Sequence, residues 1–380
     1  KDSILPALDG TRWFVDYSNS DDMSYNALGG NGDGPYGIQS TTHFWEHRTF
    51  PFNSEVGSVG VGDYASLQRF IPPANMQFPQ YATKTVDSVW EYHKYISYDK
   101  YIDSYGRMFD IYDWTRKAQL VNYDQYRALS EGFSNRMWDW YTGFIIWKTQ
   151  NPWTAMRGQM YDYYLDPNAC LFGLRKGSEP VHVMCNPTDG MITIVNNTFE
   201  EQRNLMLTVH AYDISGKDSF VTQVFTYVEP SSTKRVLPVK ELLNNMTIGG
   251  RSAFLSLQLL DEKKQVISDN IYWWPDEIGS HAGLQALPPT VLKTKATQLG
   301  KGKIEVTLSN PANGAVAFFN RVTLLDANKK ERILPVFYDD NYVSIVPGGE
   351  KKIIVEYEGS AAPLITVEGQ NVRPQEIKVQ

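Results

Sequence analysis

The chain is poor in cysteine and in concentrated positive charge, and it has no long apolar run. Two cysteines in 380 residues, Cys170 and Cys185, exclude a disulfide-built scaffold. They lie in segments that read differently, the first beyond a helix and the second in a strand. A pair of buried thiols is therefore expected rather than a bridge. No spacing of zinc ligands is present. No block of lysine or arginine offers phosphates a positive surface, and the net charge of −7 with a pI near 5.5 excludes a nucleic-acid partner. No stretch reaches the roughly 18 apolar residues of a membrane-spanning helix. The sequence opens Lys-Asp-Ser without a charged-then-apolar leader, so targeting information is expected to be absent from it or already removed. Asn196-Asn197-Thr198 and Asn245-Met246-Thr247 are glycosylation sequons, which matter only in a eukaryotic secretory setting. The length allows two or three domains, each with its own core.

What the chain does have is an uneven store of aromatic residues. Eight of its ten tryptophans and seventeen of its 23 tyrosines precede residue 166. A large aromatic core is one reading. A carbohydrate site is the sharper one, because sugar rings present flat C–H faces that stack on aromatic rings while their hydroxyls need polar partners.

Before residue 178 the patterns mix helix and strand. Residues 116–141 carry apolar residues at helical spacing (Leu120, Tyr123, Leu129, Phe133, Met137, Trp140), with a glycine at 143, and predict one long helix. On that helix Trp138 and Trp140 read as core. Residues 143–148 form a short apolar run of β-formers, and residues 153–167 predict a second helix closed by Pro167. Arg12–Tyr17 and Thr49–Ser54 read as buried strands, and Gly62-Asp63 caps a helix at about 64–70. Continuously apolar strands alternating with helices point to a parallel sheet covered on both faces. Chemistry in such a sheet gathers at the carboxyl ends of the strands. Glu55, in Asn53-Ser54-Glu55-Val56-Gly57, falls at one of those ends, between an aromatic run and a glycine-rich turn. A surface glutamate needs no such surroundings.

After the break the pattern is β throughout. Short strands with polar turns at roughly ten-residue spacing suggest an antiparallel sandwich over about 179–276 and a second over about 286–380. Asp326-Ala327-Asn328 and Pro347-Gly348-Gly349 mark turns of the second. His182 reads as a core histidine in a strand, and Trp273-Trp274 as a seal for the end of the first sandwich.

Several motifs in order then carry a resemblance. Asn53-Ser54-Glu55, Gln150-Asn151-Pro152-Trp153, YDYYLDP at 161–167 and FGLRKGSEPVHV at 172–183 resemble the C-terminal part of family 2 glycoside hydrolases. The branch they resemble holds exo-β-glucosaminidases, β-mannosidases and mannosylglycoprotein endo-β-mannosidases, and residues 117–167 are most similar to the last group. In that family a jelly roll and an Ig-like domain precede a (β/α)8 barrel, and further β-sandwiches follow it. The resemblance implies a multidomain α/β plus all-β chain: residues 1–178 as the C-terminal half of the barrel with strands five to eight, then Ig-like β-sandwiches over 179–283 and 284–380. Residues 7–12 look like the family's segment between the fourth helix and the fifth strand, so the chain is expected to begin in mid-barrel.

Retaining glycosidases use two carboxyl groups about 5–5.5 Å apart, one as nucleophile and one as acid/base. The family's nucleophile stands in Ser-Glu-apolar-Gly at the end of strand seven, and Ser54-Glu55-Val56-Gly57 matches it. The acid/base residue lies upstream on strand four. Asp16, Asp21, Asp22 and Glu46 are carboxylates in loops, but none sits in its context. This implies a chain that supplies the nucleophile half only, with the missing N-terminal half of the same enzyme as its partner. Trp147 resembles the tryptophan that floors the sugar subsite, and Tyr36, His43, Trp45, Asn151 and Trp153 are the further candidates for substrate contact. The implied function is a retaining β-glycoside hydrolase acting on β-mannosides in glycans. Exo-β-D-glucosaminidase and a non-catalytic glycan-binding or structural module are its rivals. No metal or organic cofactor is implied. Enzymes of this layout are often periplasmic or secreted.

Overall fold

The structure is a computed structural model and describes residues 3–12, 38–46, 51–58, 60–77, 87–95, 98–157, 159–359 and 362–380. The expected strand at Arg12–Tyr17 falls almost wholly outside them, as does Tyr36. Up to residue 178 the helices are α1 (Ile4–Leu8), α2 (His43–Glu46), α3 (Tyr64–Leu67), α4 (Ser88–Tyr92), α5 (Asp99–Asp103), α6 (Ile111–Asn135) and α7 (Ala169–Gly177). The strands there are β1 (Phe52–Val56) and β2 (Gly143–Ile146), which pair in parallel on either side of α6 in sequence. Parallel neighbours require such a crossover, and the long helix supplies it.

Helix α6 starts at Asp110, whose carboxylate accepts the Asp113 amide at 2.8 Å, an N-cap that satisfies one of the orphan donors of the first turn. It is buried on nearly every face rather than along one stripe. It ends at Asn135, six residues before the expected end at 141. There the chain turns back: Trp138 takes φ +65° and is exposed, its amide donates to the Tyr141 carbonyl at 3.0 Å, and the Tyr141 ring stacks on Phe133 at 4.0 Å. Trp138 and Trp140 are thus beyond the helix, and Trp138 is not core.

The expected helix at 153–167 is absent, and an irregular loop runs from β2 to α7. Side chains occupy the backbone donors that a helix would need. Asp162 Oδ1 accepts the amides of Tyr164 and Asp166 at 2.8 and 2.9 Å, and Leu165 takes φ +65°. Asn168 then caps α7, accepting from the Cys170 amide at 2.8 Å. The capped helix at Gly62-Asp63 does form, with Asp63 accepting the Ser66 amide at 2.9 Å. Thr49 and Phe50 of the expected strand lie outside the described residues; β1 covers Phe52–Val56 and so runs through Glu55.

Two sandwiches follow. The first joins β3 (Val181–Cys185), β4 (Met191–Asn196), β5 (Gln202–Asp213), β6 (Asp218–Val228), β7 (Ser232–Pro238), helix α8 (Lys240–Thr247), β8 (Ala253–Leu260) and β9 (Val266–Trp274). Its sheets have the orders β3-β4-β7 and β6-β5-β8-β9, and all their pairings are antiparallel. The second joins β10 (Lys293–Gly300), β11 (Lys303–Ser309), β12 (Ala317–Asp326), β13 (Val336–Tyr338), β14 (Val343–Ile345), β15 (Glu350–Tyr357), β16 (Pro363–Glu368) and β17 (Gln375–Lys378). Its sheets run β10-β11-β15-β13 and β14-β12-β16-β17. Cys170 and Cys185 are free and buried. Trp274 closes the core of the first sandwich, its indole N–H donating to Asn244 at 3.1 Å. Trp273 turns outward instead, meeting Phe318 and Phe319 of the second sandwich and donating to Tyr105 at 2.9 Å.

The domains meet on α6. Arg127 donates to the Ile271 carbonyl (2.7 Å) and to Asn270 (3.1 Å) of β9, and pairs with Asp124 at 2.7 Å. Glu131 Oε1 receives Tyr272 (2.8 Å), Asn270 (2.8 Å) and His182 Nε2 (3.0 Å). The other ring nitrogen of His182 faces Glu179 at 3.0 Å. Burial alone would lower the His182 pKa, but the hydrogen bonds and charges of Glu131 and Glu179 outweigh it, and the pKa is raised. A raised folded-state pKa adds stability that is complete below the unfolded value near 6.5 and is lost as pH rises through the folded value. Denaturant titrations between pH 6 and 9 are expected to show this loss in the wild type, with the dependence flattened in His182→Ala. That variant takes the hydrogen-bonded imidazolium away from buried Glu131 and is expected to lose about 3 kcal/mol at pH 6; equal stability of the two proteins across the range would contradict the pairing.

Candidate active site

The two parallel strands place Glu55 and Trp147 at the same end. Phe52 pairs with Gly143 and Asn53 with Phe144; the register then shifts, and Val56 pairs with Ile146. One step on, the Trp147 amide donates to the Val56 carbonyl at 2.8 Å. Trp147 thus leaves β2 beside the residue that follows Glu55.

Val56 is fully buried in a cluster with Ala128 and Leu129 of α6, Trp45, and Met184 and Val195 of the first sandwich. Glu55 lies in the irregular stretch between the Asn53 and Val56 pairings and is partly exposed. A carboxylate at the end of a parallel strand whose next residue is locked in an apolar cluster has a fixed origin.

The glycines after Glu55 answer to close backbone approaches. A Cβ on Gly57 would stand 2.1 Å from the Trp147 carbonyl oxygen, and one on Gly60 would stand 2.4 Å from the Gln159 amide nitrogen. The two loops leaving β1 and β2 therefore touch backbone to backbone, which no other residue permits. Polar side chains from the buried face of α6 hold the first loop. Ser58 Oγ donates to Gln125 Oε1 at 3.0 Å, and its amide donates to the Tyr126 hydroxyl at 3.2 Å. The Val61 carbonyl accepts Gln119 and Asn122 at 2.9 and 2.8 Å, and the Val61 amide donates to the Tyr98 hydroxyl at 2.8 Å. Burial pushes the Tyr98 and Tyr126 phenols far up, so both remain neutral hydrogen-bonding groups at physiological pH.

The remaining candidates have other surroundings. Trp45 lies in the Val56 cluster and lines a cavity of about 420 Å³ with Arg127, Trp273 and Trp274. His43 is on α2 beside it, its ring edge-on to Phe44 at 6.1 Å. Asn151 is buried in its own loop, donating to the Arg157 carbonyl (3.1 Å) and to Gln159 (2.9 Å). Trp153 stacks on His93 at 6.0 Å and meets Tyr92 edge-on at 5.6 Å. Lys148 was not anticipated: its ammonium lies 4.6 Å from the centroid of the Trp147 ring, and burial followed by the charge of Arg157 lowers its pKa. Its adjacency to Trp147 was the one available signal. Among the described residues no three His, Cys, Asp or Glu side chains converge as metal ligands.

Comparison with known proteins agrees with this architecture. The family model described as mannosidase Ig/CBM-like domain matches residues 191–276, and that described as exo-β-D-glucosaminidase Ig-fold domain matches residues 270–372. The chain is 31% identical to the mannosylglycoprotein endo-β-mannosidase of Lilium longiflorum, with 96% of this chain and 46% of that protein covered. It is 26% identical to an exo-β-D-glucosaminidase of Arthroderma benhamiae, with 90% and 42% covered. The chain thus spans about half the length of the curated relatives it matches. In fold it is similar to the exo-chitosanase of Amycolatopsis orientalis (TM-score 0.75, 20% identity, 90% of this chain and 45% of that one). It is also similar to a β-D-mannosidase of Dictyoglomus thermophilum (TM-score 0.72, 14% identity, 98% and 44%). The chain belongs to glycoside hydrolase family 2, among the relatives of mannosylglycoprotein endo-β-mannosidases and exo-β-glucosaminidases, and corresponds to the C-terminal region of such proteins.

Proposed function

We propose that this chain carries the nucleophile half of a retaining β-glycoside hydrolase that acts on β-mannosides in glycans. The observation that carries the reading is the shared end of the parallel pair β1 and β2, which sets a partly exposed Glu55 next to Trp147. In this reading β1, α6, β2 and α7 are the last two strand–helix units of a (β/α)8 barrel, whose chemistry sits at the carboxyl ends of its strands.

Glu55 attacks the anomeric carbon and forms a glycosyl ester. An acid on an upstream strand protonates the leaving oxygen and then activates the water that releases the sugar. Trp147 offers its ring as the floor for the sugar's C–H face. Lys148 adds positive charge beside that floor. The chain spans about half the length of its relatives, so turnover is assigned to the complete protein. The matches to exo-β-glucosaminidases support a second reading, in which the sugar is glucosamine.

The test is peptide mapping of the complete protein after treatment with 2-deoxy-2-fluoro-β-mannosyl fluoride. Attack by Glu55 expels fluoride, and the ring fluorine slows hydrolysis of the ester. One sugar on Glu55 is expected, and none in Glu55→Gln. Labelling of another carboxylate, or of none by the mannosyl donor or a glucosamine-configured donor, would sink the nucleophile assignment. Labelling by the glucosamine donor alone would move the substrate to the second reading. Gly57→Ala forces the Glu55 loop off the Trp147 carbonyl and is expected to slow labelling about 100-fold, the scale of a 1 Å misplacement; a wild-type rate would contradict the packing argument.

A further inference from the structure

The loops that leave β1 and β2 are fastened to the second sandwich by a buried cluster of three aspartates and three arginines. Asp63 lies eight residues after Glu55, and Asp162 and Asp166 lie in the loop that begins at Trp147. Arg69 follows α3, Arg321 lies on β12, and Arg332 follows β12 with its backbone bridged to Leu325.

Arg332 presents a fork to Asp63: Nη1 reaches Oδ1 at 3.0 Å and Nη2 bonds Oδ2. The same Nη1 also bonds Asp166. Arg321 pairs with Asp63 and lies 3.4 Å from Asp166. Arg69 lies 3.5 Å from Asp162 and 3.4 Å from Asp166, and Ser66 Oγ donates to Asp162 at 2.5 Å. Three negative charges thus meet three positive ones, and one guanidinium holds both loops.

Stability is a poor reason for such a cluster. Apolar side chains of similar volume generally stabilise a buried site as well, because the desolvation of paired charges offsets their attraction. A planar fork does what apolar contact does not: it fixes the direction in which each carboxylate approaches. The two loops it joins already touch at Gly60 and Gln159, so a slip of one against the other would carry through to the strand ends.

We propose that Arg332 is a positioning residue for the reaction proposed above, holding the loops after β1 and β2 in one register and so setting Glu55 against Trp147. The second sandwich is then part of the catalytic apparatus. This inference rests on the reading of Glu55 as nucleophile.

The test is Arg332→Lys in the complete protein, which keeps the charge and removes the fork. Amide exchange at residues 60–62 and 159–166 is expected to rise together by about tenfold or more, while the strands of the first sandwich stay protected. On an aryl β-mannoside, kcat is expected to fall about tenfold or more with KM within about threefold, the split that marks lost orientation rather than lost binding. Should that variant not fold, Asp166→Asn, which keeps side-chain size and the fork on Asp63, reads the same amides. Wild-type exchange in either loop, or an unchanged kcat, would overturn the proposal. A wild-type protein that neither cleaves nor is labelled by any glycoside defeats the glycosidase reading instead, and the exchange result alone then decides whether Arg332 ties the loops.

Discussion

A helix buried on nearly every face has to find partners inside the protein for every polar group it carries. Helix α6 meets that demand in two directions. Gln119, Asn122, Gln125 and Tyr126 hold the loop that follows Glu55, while Arg127 and Glu131 hold the first sandwich through Ile271, Asn270, Tyr272 and His182. Apolar packing would bring these parts together without fixing their angles. Unpaired polar groups at such depth cost about 1–3 kcal/mol each, so an arrangement that leaves few of them unpaired, the Trp114 indole N–H and Arg127 Nε on this helix, is strongly selected among compact alternatives.

The same helix explains why the surroundings of Glu55 look as they do in one dimension. The apolar residue after it packs in the α6 cluster, the glycines beyond it let its loop lie against the neighbouring loop, and Tyr126, Gln119 and Asn122 of α6, with Tyr98 just before α5, bond that loop's backbone. A carboxylate held in this way pays little reorganisation on reaching a reactive geometry, which is the general advantage of building a site on strand ends. The second sandwich extends the scheme from the other side, since Arg321 and Arg332 meet both loops where α6 does not.

Much of this was legible in the sequence, and what was not has physical causes. The β1–α6–β2 unit, the capped turn at Asp63 and most strands of the two sandwiches follow from period and capping. Residues 153–167 misled because Met156, Met160 and Tyr164 fall at helical spacing, whereas Asn151, Asp162 and Asn168 bond nearby backbone and compete with the helix. The end of α6 was set by the stacking of Tyr141 on Phe133, a contact that no local pattern announces. Strand β7 and helix α8 passed unnoticed because the sequence STKRVLP is polar and shows no clean alternation. At the candidate site, Glu55 and Trp147 are singled out by motif, but the setting of Trp45, Asn151 and Trp153 depends on contacts between distant segments. Arg332 and Asp63 are separated by 269 residues, and no spacing rule links them.

The claim on which the functional account turns is that Glu55 forms a covalent intermediate, and the stereochemical course of hydrolysis tests it without reference to any label. Proton NMR of the complete protein acting on an aryl β-mannoside, or on the glucosamine analogue, identifies the anomer released before mutarotation. Two displacements at the anomeric carbon predict that the β-anomer appears first. An α-anomer appearing first would mean a single displacement by water and would contradict Glu55 as the nucleophile.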